Sequence, residues 1–231
     1  MCAPGPAPGR DSAQQGRVKS ASGDRMIRII TVEREYGSGG GEIAQQLATQ
    51  LGWKLWDQAL SEEIAKLANC PQAVVEVREE KNDPLYYRLF KSFLRGSYEG
   101  TLNAPKLNLV DSETILKFTK HVVERVSRVG NSVIVGRGSQ QFLRDREDTL
   151  RIFLYAPRED KIQRLIARGK SEDEAEQLVD SVDRERADFI QKYFNVKWPD
   201  RPVYHALINT ATGDETVVRM ILDIMKVVDS K

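Results

Sequence analysis

Four of the five residues 37–41 are glycine, with Ser38 standing between Gly37 and the run Gly39, Gly40, Gly41. They follow a β-branched run, Ile27-Arg28-Ile29-Ile30-Thr31-Val32, of strand length. Beyond them Ile43, Ala44, Leu47, Ala48 and Leu51 recur at helical spacing until Gly52 closes the pattern. Glycines in a strand-to-helix turn let successive backbone N–H groups converge on one anion, and the helix N-terminus adds partial positive charge. The chemistry implied is phosphate binding. A bare glycine-rich turn fits the same residues, and the strand–turn–helix setting favours the anion site.

The loop departs from the phosphate-loop pattern G-x-x-x-x-G-K-[ST]. Aligned on Gly39, the first glycine becomes Arg34, the lysine Gly40 and the hydroxyl residue Gly41. The lysine would neutralise nucleotide phosphates and the hydroxyl would hold Mg²⁺. Glu42, in the first helical turn, suits the helix but competes with a bound phosphate. Arg34 is placed to return the missing charge, as a planar fork rather than a point charge. Pairing with Glu33, Glu35 or Glu42 is its alternative.

Other candidates are weaker. His121 falls on the polar side of a helical stretch, and His205 reads as a packed, hydrogen-bonded strand residue. Two histidines with Cys2 and Cys70 make no zinc-type cluster, so no resident metal site is expected. Tyr86, Tyr87, Phe90 and Phe93 have the spacing of a helix core face, and Glu172 to Glu176 reads as a charged helix start.

The elements that must hold the loop alternate in type. Strands are expected at 53–56, 132–135, 150–155 and 204–209, and helices at 58–69, 111–129, 158–168, 172–193 and 214–228. Strand–helix alternation predicts an α/β fold with a parallel sheet covered on both faces. Residues 1–25 are rich in Pro, Gly, Ser and Gln with almost no large apolar residue, and read as a disordered tail. They lack the apolar stretch of a signal peptide.

The 231 residues carry 35 Lys+Arg against 34 Asp+Glu, a formal charge of +1. That balance excludes bulk electrostatic binding of nucleic acid or an acidic membrane surface. No run is long and apolar enough for a membrane span, and two cysteines exclude a disulfide framework. A cytoplasmic globular domain at 26–231 is expected. Oligomeric state is not specified by the sequence.

The run ITVEREYGSGGGEIAQQLATQLGWKLWD resembles the start of the cytidylate kinase-like family, whose distinguishing feature is a loop REYGSGG without the usual lysine. The resemblance continues in VIVGRGSQQFL, RIFLYAPREDKIQRL, VDRERADF and YHALINTATGDETVVRMI, and covers about residues 26–225. It implies a three-layer P-loop kinase fold with a parallel sheet of about five strands, a helical monophosphate-binding insertion at 58–110 and a lid at 168–200. It implies ATP-dependent phosphorylation of CMP or dCMP, with Mg²⁺ carried by ATP and with small nucleotides, not nucleic acid or membrane, as partners.

By the same resemblance Gly37, Ser38, Gly39, Gly40 and Gly41 hold ATP, while Asp57, Arg137, Asp183 and Arg186 bind the acceptor. Arg34, Arg184 and Arg186 carry the charge of transfer. Gly136-Arg137 matches the GR of a GRD motif, with Gly138 in place of its Asp. Asp183 and Arg186 match a D-x-x-R segment; three apart on a helix, they lie on one face and also fit a plain ion pair. Asp57 fits a helix N-cap as well as a ligand, and the arginine expected six residues after it is Glu63. Val179 and Val182 stand where two lid arginines are expected, and Asn209-Thr210 lies near the adenine-side loop. Three functions remain open: a CMP kinase, a catalytically weak nucleotide-binding module, and a kinase of a different small acceptor.

Overall fold

A computed structural model describes residues 26–68 and 112–230. The expected tail at 1–25, the aromatic cluster Tyr86 to Phe93 and most of the 58–110 insertion lie outside these described residues.

Five strands form one all-parallel sheet: β1 (Ile29–Arg34), β2 (Lys54–Trp56), β3 (Ser132–Val135), β4 (Thr149–Tyr155) and β5 (Ala206–Asn209). Their order across the sheet is β2-β3-β1-β4-β5. β1 is central, and all six of its residues are buried. This is why its first four residues, Ile29-Ile30-Thr31-Val32, are a continuous β-branched run rather than an alternating one. Ile30 and Val32 pack, with Val133, Val135 and Leu154, against α1 (Gly40–Leu51) and α7 (Asp214–Asp229). Ile29 and Ile134 face the opposite layer, made of α2 (Gln58–Ala68), α3 (Ser112–Val129) and α6 (Glu172–Phe194). α4 (Ser139–Phe142) follows β3, and α5 (Arg158–Ala167) pairs with α6 over a core of Ile162, Leu165, Val179 and Val182.

Local signals set the helix ends. Gly52 takes a left-handed conformation (φ 65°) and donates to the carbonyls of Ala48 and Thr49, closing α1. Ser171 caps α6 by accepting the Glu174 N–H at 3.2 Å, and Glu172, Asp173 and Glu174 place negative charge in the first turn. The last strand starts later than the sequence suggested. Arg201–Val203 forms a 3-10 turn containing Pro202, which keeps Tyr204 and His205 outside β5.

The chain leaves β1 toward β2 on one side of the sheet and leaves β4 toward β5 on the other. In open parallel sheets the crevice for ligands lies beyond the strand C-termini where connections diverge in this way. The glycine loop and Gly136-Arg137-Gly138 both emerge at that edge.

Candidate active site

The glycine loop turns through left-handed residues at Gly37 and Gly39, both at φ 78°, and Gly39 caps α1. The first turn of α1 therefore directs its backbone N–H groups, which have no intrahelical acceptor, toward the loop. A side chain at Gly37 would press on Lys161, 3.0 Å from its Cβ, and one at Gly39 would overlap the Arg164 guanidinium. Ser38 is fully buried. Its hydroxyl donates to the Glu35 carbonyl at 2.8 Å, and its own carbonyl accepts from Thr210 Oγ1 at 2.7 Å. With Ser38 committed to the backbone and glycine at 41, the start of α1 presents no hydroxyl to a cation. Among the described residues no group of three or more His, Cys, Asp or Glu is placed to hold a metal ion.

Arg34 runs between two glycines. A Cβ at Gly40 would sit 2.7 Å from Arg34 Cβ and 2.8 Å from Cγ, and one at Gly136 would overlap Arg34 Nη1. The position that holds lysine in the phosphate-loop pattern is thus glycine because the stem of Arg34 occupies its space. The Arg34 guanidinium is buried, with Nη1 3.6 Å from Glu33 Oε1, while Nε and Nη2 have no hydrogen-bond partner among the described residues. Burial lowers its pKa, and the neighbouring Arg186 lowers it further.

Arg137 enters from the other strand. It adopts φ 60° between Gly136 at 63° and Gly138 at 66°, a left-handed stretch that is costly for a non-glycine residue. Its Nη2 donates to Ser61 Oγ at 2.6 Å and lies 3.9 Å from Asp57 Oδ1. Burial pushes its pKa down to about 10, against the pull of Asp57. Gly138, which stands at the Asp of the GRD motif, packs against Phe194: an added Cβ would sit 2.8 Å from the ring.

α6 brings the third arginine. Arg186 Nη1 donates to the Arg34 carbonyl at 2.8 Å and pairs with Asp183 Oδ1 at 3.2 Å. Asp183 Oδ1 also accepts the Tyr36 N–H at 2.8 Å, and Oδ2 lies 3.5 Å from Lys161 Nζ. Burial raises the Asp183 pKa, with Arg186 opposing. Asp183 and Arg186 are therefore an ion pair and are also anchored to the first residues of the loop. Arg34, Arg137 and Arg186 line one cavity of about 20 Å³ with Glu33, Phe189, Ile190 and Trp198.

The structure brings together Arg34, Arg137, Asp183 and Arg186, with Asp57 behind Arg137. Arg184 stands apart, on the exposed face of α6. Val179 and Val182 are buried in the α5–α6 contact, which explains why arginine is absent there. Glu63 pairs with Lys66 at 2.8 Å and Arg125 at 2.6 Å. His121 is exposed, and His205 Nδ1 accepts the Arg151 backbone N–H at 2.9 Å.

Sequence reasoning missed a cationic stripe on α5. Lys161, Arg164 and Arg168 recur at i, i+3 and i+7, the spacing of one helix face. Lys161 Nζ lies 2.9 Å from Glu35, Arg164 Nη2 2.8 Å from Asp214, and Arg168 Nη2 2.6 Å from Glu42. The stripe lies along the glycine loop and the start of α1. Its periodicity was available as a signal. Trp198, by contrast, had none, since nothing in its neighbourhood tied it to the sheet edge.

A parallel sheet with a glycine loop after its central first strand, helices on both faces and arginines converging at the C-terminal edge defines a P-loop kinase-like protein. The sequence matches the cytidylate kinase-like family over residues 29–212, and the chain belongs to that family. No curated protein sequence matches it significantly. Among solved structures it is similar to an uncharacterized protein from Eubacterium ventriosum (20% identity, 86% of this chain, 98% of that chain, TM-score 0.61). It is also similar to a gluconokinase from Sinorhizobium meliloti (13% identity, 89% and 95% covered, TM-score 0.50). A shikimate kinase from Bacteroides thetaiotaomicron covers 86% of this chain and 98% of its own at 15% identity and TM-score 0.48. At these identities the likeness concerns the fold.

Proposed function

We propose that the protein is an ATP-dependent phosphotransferase acting on CMP or dCMP. The observation that carries this reading is the convergence of Arg137 and Arg186 on one buried cavity beside a phosphate-type glycine loop. Phosphoryl transfer asks a protein chiefly to position two anions and neutralise charge, and guanidiniums and backbone N–H groups are suited to both.

In this reading the polyphosphate of ATP lies on Gly37, Ser38, Gly39, Gly40 and Gly41 and on the N-terminus of α1. Glycine at 37 and 39 lets Lys161 and Arg164 lie directly against the loop, since a Cβ at either position would meet those side chains. Lys161 and Arg164 supply positive charge from the flank in place of the absent loop lysine. Mg²⁺ enters this reading carried by ATP. The acceptor's monophosphate lies on Arg137 and Arg186, with Asp57 and Asp183 orienting those guanidiniums or reaching the nucleoside. An acceptor phosphate oxygen attacks the γ-phosphorus, the β–γ bridging P–O bond breaks and ADP leaves. Arg184, exposed on α6 and off this cavity, takes no part in this reading.

The test is ADP formation by the full chain with ATP, Mg²⁺ and a panel of nucleoside monophosphates. CMP or dCMP should be turned over fastest. Thermal stabilisation by ATP with no ADP from any acceptor would favour the second reading, a nucleotide-binding module, which the lysine-free loop supports. Fastest turnover of an acceptor other than a cytidine nucleotide would transfer the reading to a different small substrate.

A further inference from the structure

We propose that Arg34 serves the acceptor side: with Arg137 and Arg186 it forms a three-guanidinium pocket for the terminal phosphoryl group of a monophosphate ester, and it does not contact the donor polyphosphate. This rests on the reading of Arg137 and Arg186 as the acceptor's phosphate site.

The loop position of Arg34 in the sequence points the other way, toward replacing the lysine. Its side-chain course decides the matter. The stem passes Gly40, and the guanidinium lies over Gly136 at the end of β3, beside the residue that carries Arg137. Both glycines leave room for this course; a Cβ at either would obstruct it. The guanidinium then lines the same cavity as Arg137 and Arg186, whereas the donor loop is flanked by Lys161 and Arg164.

Arg34 is 4% exposed, and its Nε and Nη2 have no hydrogen-bond partner among the described residues. A buried guanidinium with two idle donors carries a desolvation cost that a ligand bearing acceptor oxygens would remove. Glu33 holds Nη1 from one side at 3.6 Å, which orients the fork and leaves the opposite edge to the ligand. Nε and Nη2 form one edge of the planar group, the geometry that binds two oxygens of a phosphoryl group together. The carboxylates Asp57 and Asp183 pair with Arg137 and Arg186 in the same way, so each guanidinium is held by one acid. The cavity, at about 20 Å³, has room for one water-sized group. Binding a phosphoryl group therefore requires the cavity, which half-buried Trp198 walls in part, to widen beyond this volume.

Calorimetric titration of wild type, Arg34→Met and Arg34→Lys with CMP, with inorganic phosphate and with ATP tests the assignment. Loss of a charge-assisted two-point contact should weaken CMP and inorganic phosphate about 10- to 100-fold. ATP affinity should stay within about two-fold. Arg34→Lys, which keeps the charge and loses the fork, should recover only part of the affinity. A larger loss for ATP than for CMP, or no change for any of the three, would overturn the proposal. Far-UV circular dichroism of each variant establishes that the fold persists; if Arg34→Met unfolds, Arg34→Lys alone decides by the same two ratios. Should CMP fail to bind wild type while inorganic phosphate binds and is lost in Arg34→Met, the pocket assignment stands and the cytidine reading falls.

Discussion

Replacing Gly138 by alanine isolates why this chain departs from the GRD pattern. The residue has φ 66°, and an added Cβ would sit 2.8 Å from Phe194 Cζ and 2.9 Å from Cε2. Left-handed backbone costs an L-residue about 1–2 kcal/mol. Forcing a methyl group into a packed aromatic contact costs a further ~1–3 kcal/mol. Phe194 cannot retreat freely, because its ring packs edge-on against Phe142 at 5.2 Å and tilts against Phe189 at 6.4 Å. Gly138→Ala should therefore lower unfolding free energy by about 2–5 kcal/mol, read from urea denaturation at constant m. In a Phe194→Ala background only the backbone part should remain, about 1–2 kcal/mol. Equal losses in both backgrounds, or a loss below about 1 kcal/mol in the wild-type background, would refute the packing argument. Gly138→Asp should be at least as destabilising, so the familiar motif cannot be restored by that single change.

Three further outcomes concern two buried positions, Val182 and Thr210, and the exposed His205. Val182→Arg, which would return one lid arginine, places an unpaired charge at a fully buried position and should cost more than about 3 kcal/mol in the same urea assay. Thr210→Val removes the donor to the Ser38 carbonyl and should cost about 1–3 kcal/mol while raising the KM for ATP more than that for the acceptor, measured by steady-state kinetics. His205 has a pKa below its usual 6.5, through burial first and Arg151 second. The native state therefore binds its proton less readily than the unfolded chain. The stability this provides is complete above about pH 6.5 and is lost as pH falls through the lowered native value. Thermal scans between pH 7.5 and 5 should show a steeper decline for wild type than for His205→Gln.

Much of the fold was legible because periodicity and burial agree. The β-branched run Ile29-Ile30-Thr31-Val32 marks a strand covered on both faces, and Ile43, Leu47 and Leu51 mark a helix with one buried side. Gly52 and Ser171 act at short range and fixed the helix ends where the sequence placed them. The start of β5 was misread because Tyr204 and His205 look like strand residues, while the 3-10 turn through Pro202 governs their backbone. At the site, Asp183 and Arg186 could be paired from their three-residue spacing. The course of Arg34 could not. It depends on space left by Gly136, about a hundred positions away in the chain, and sequence distance carries no record of such a contact. The stripe Lys161, Arg164, Arg168 was visible as a helix face, but its facing partner, the glycine loop, is set only by the packing of α5 at the edge of the sheet.

The central claim, transfer of phosphate from ATP to a cytidine monophosphate, is tested most directly by following products rather than donor loss. Phosphorus NMR of the full chain with ATP, Mg²⁺ and CMP should show ADP and CDP appearing in equal amounts as the CMP signal declines. ADP with inorganic phosphate and unchanged CMP, or four unchanged ATP and CMP signals beside demonstrable ATP binding, would contradict it.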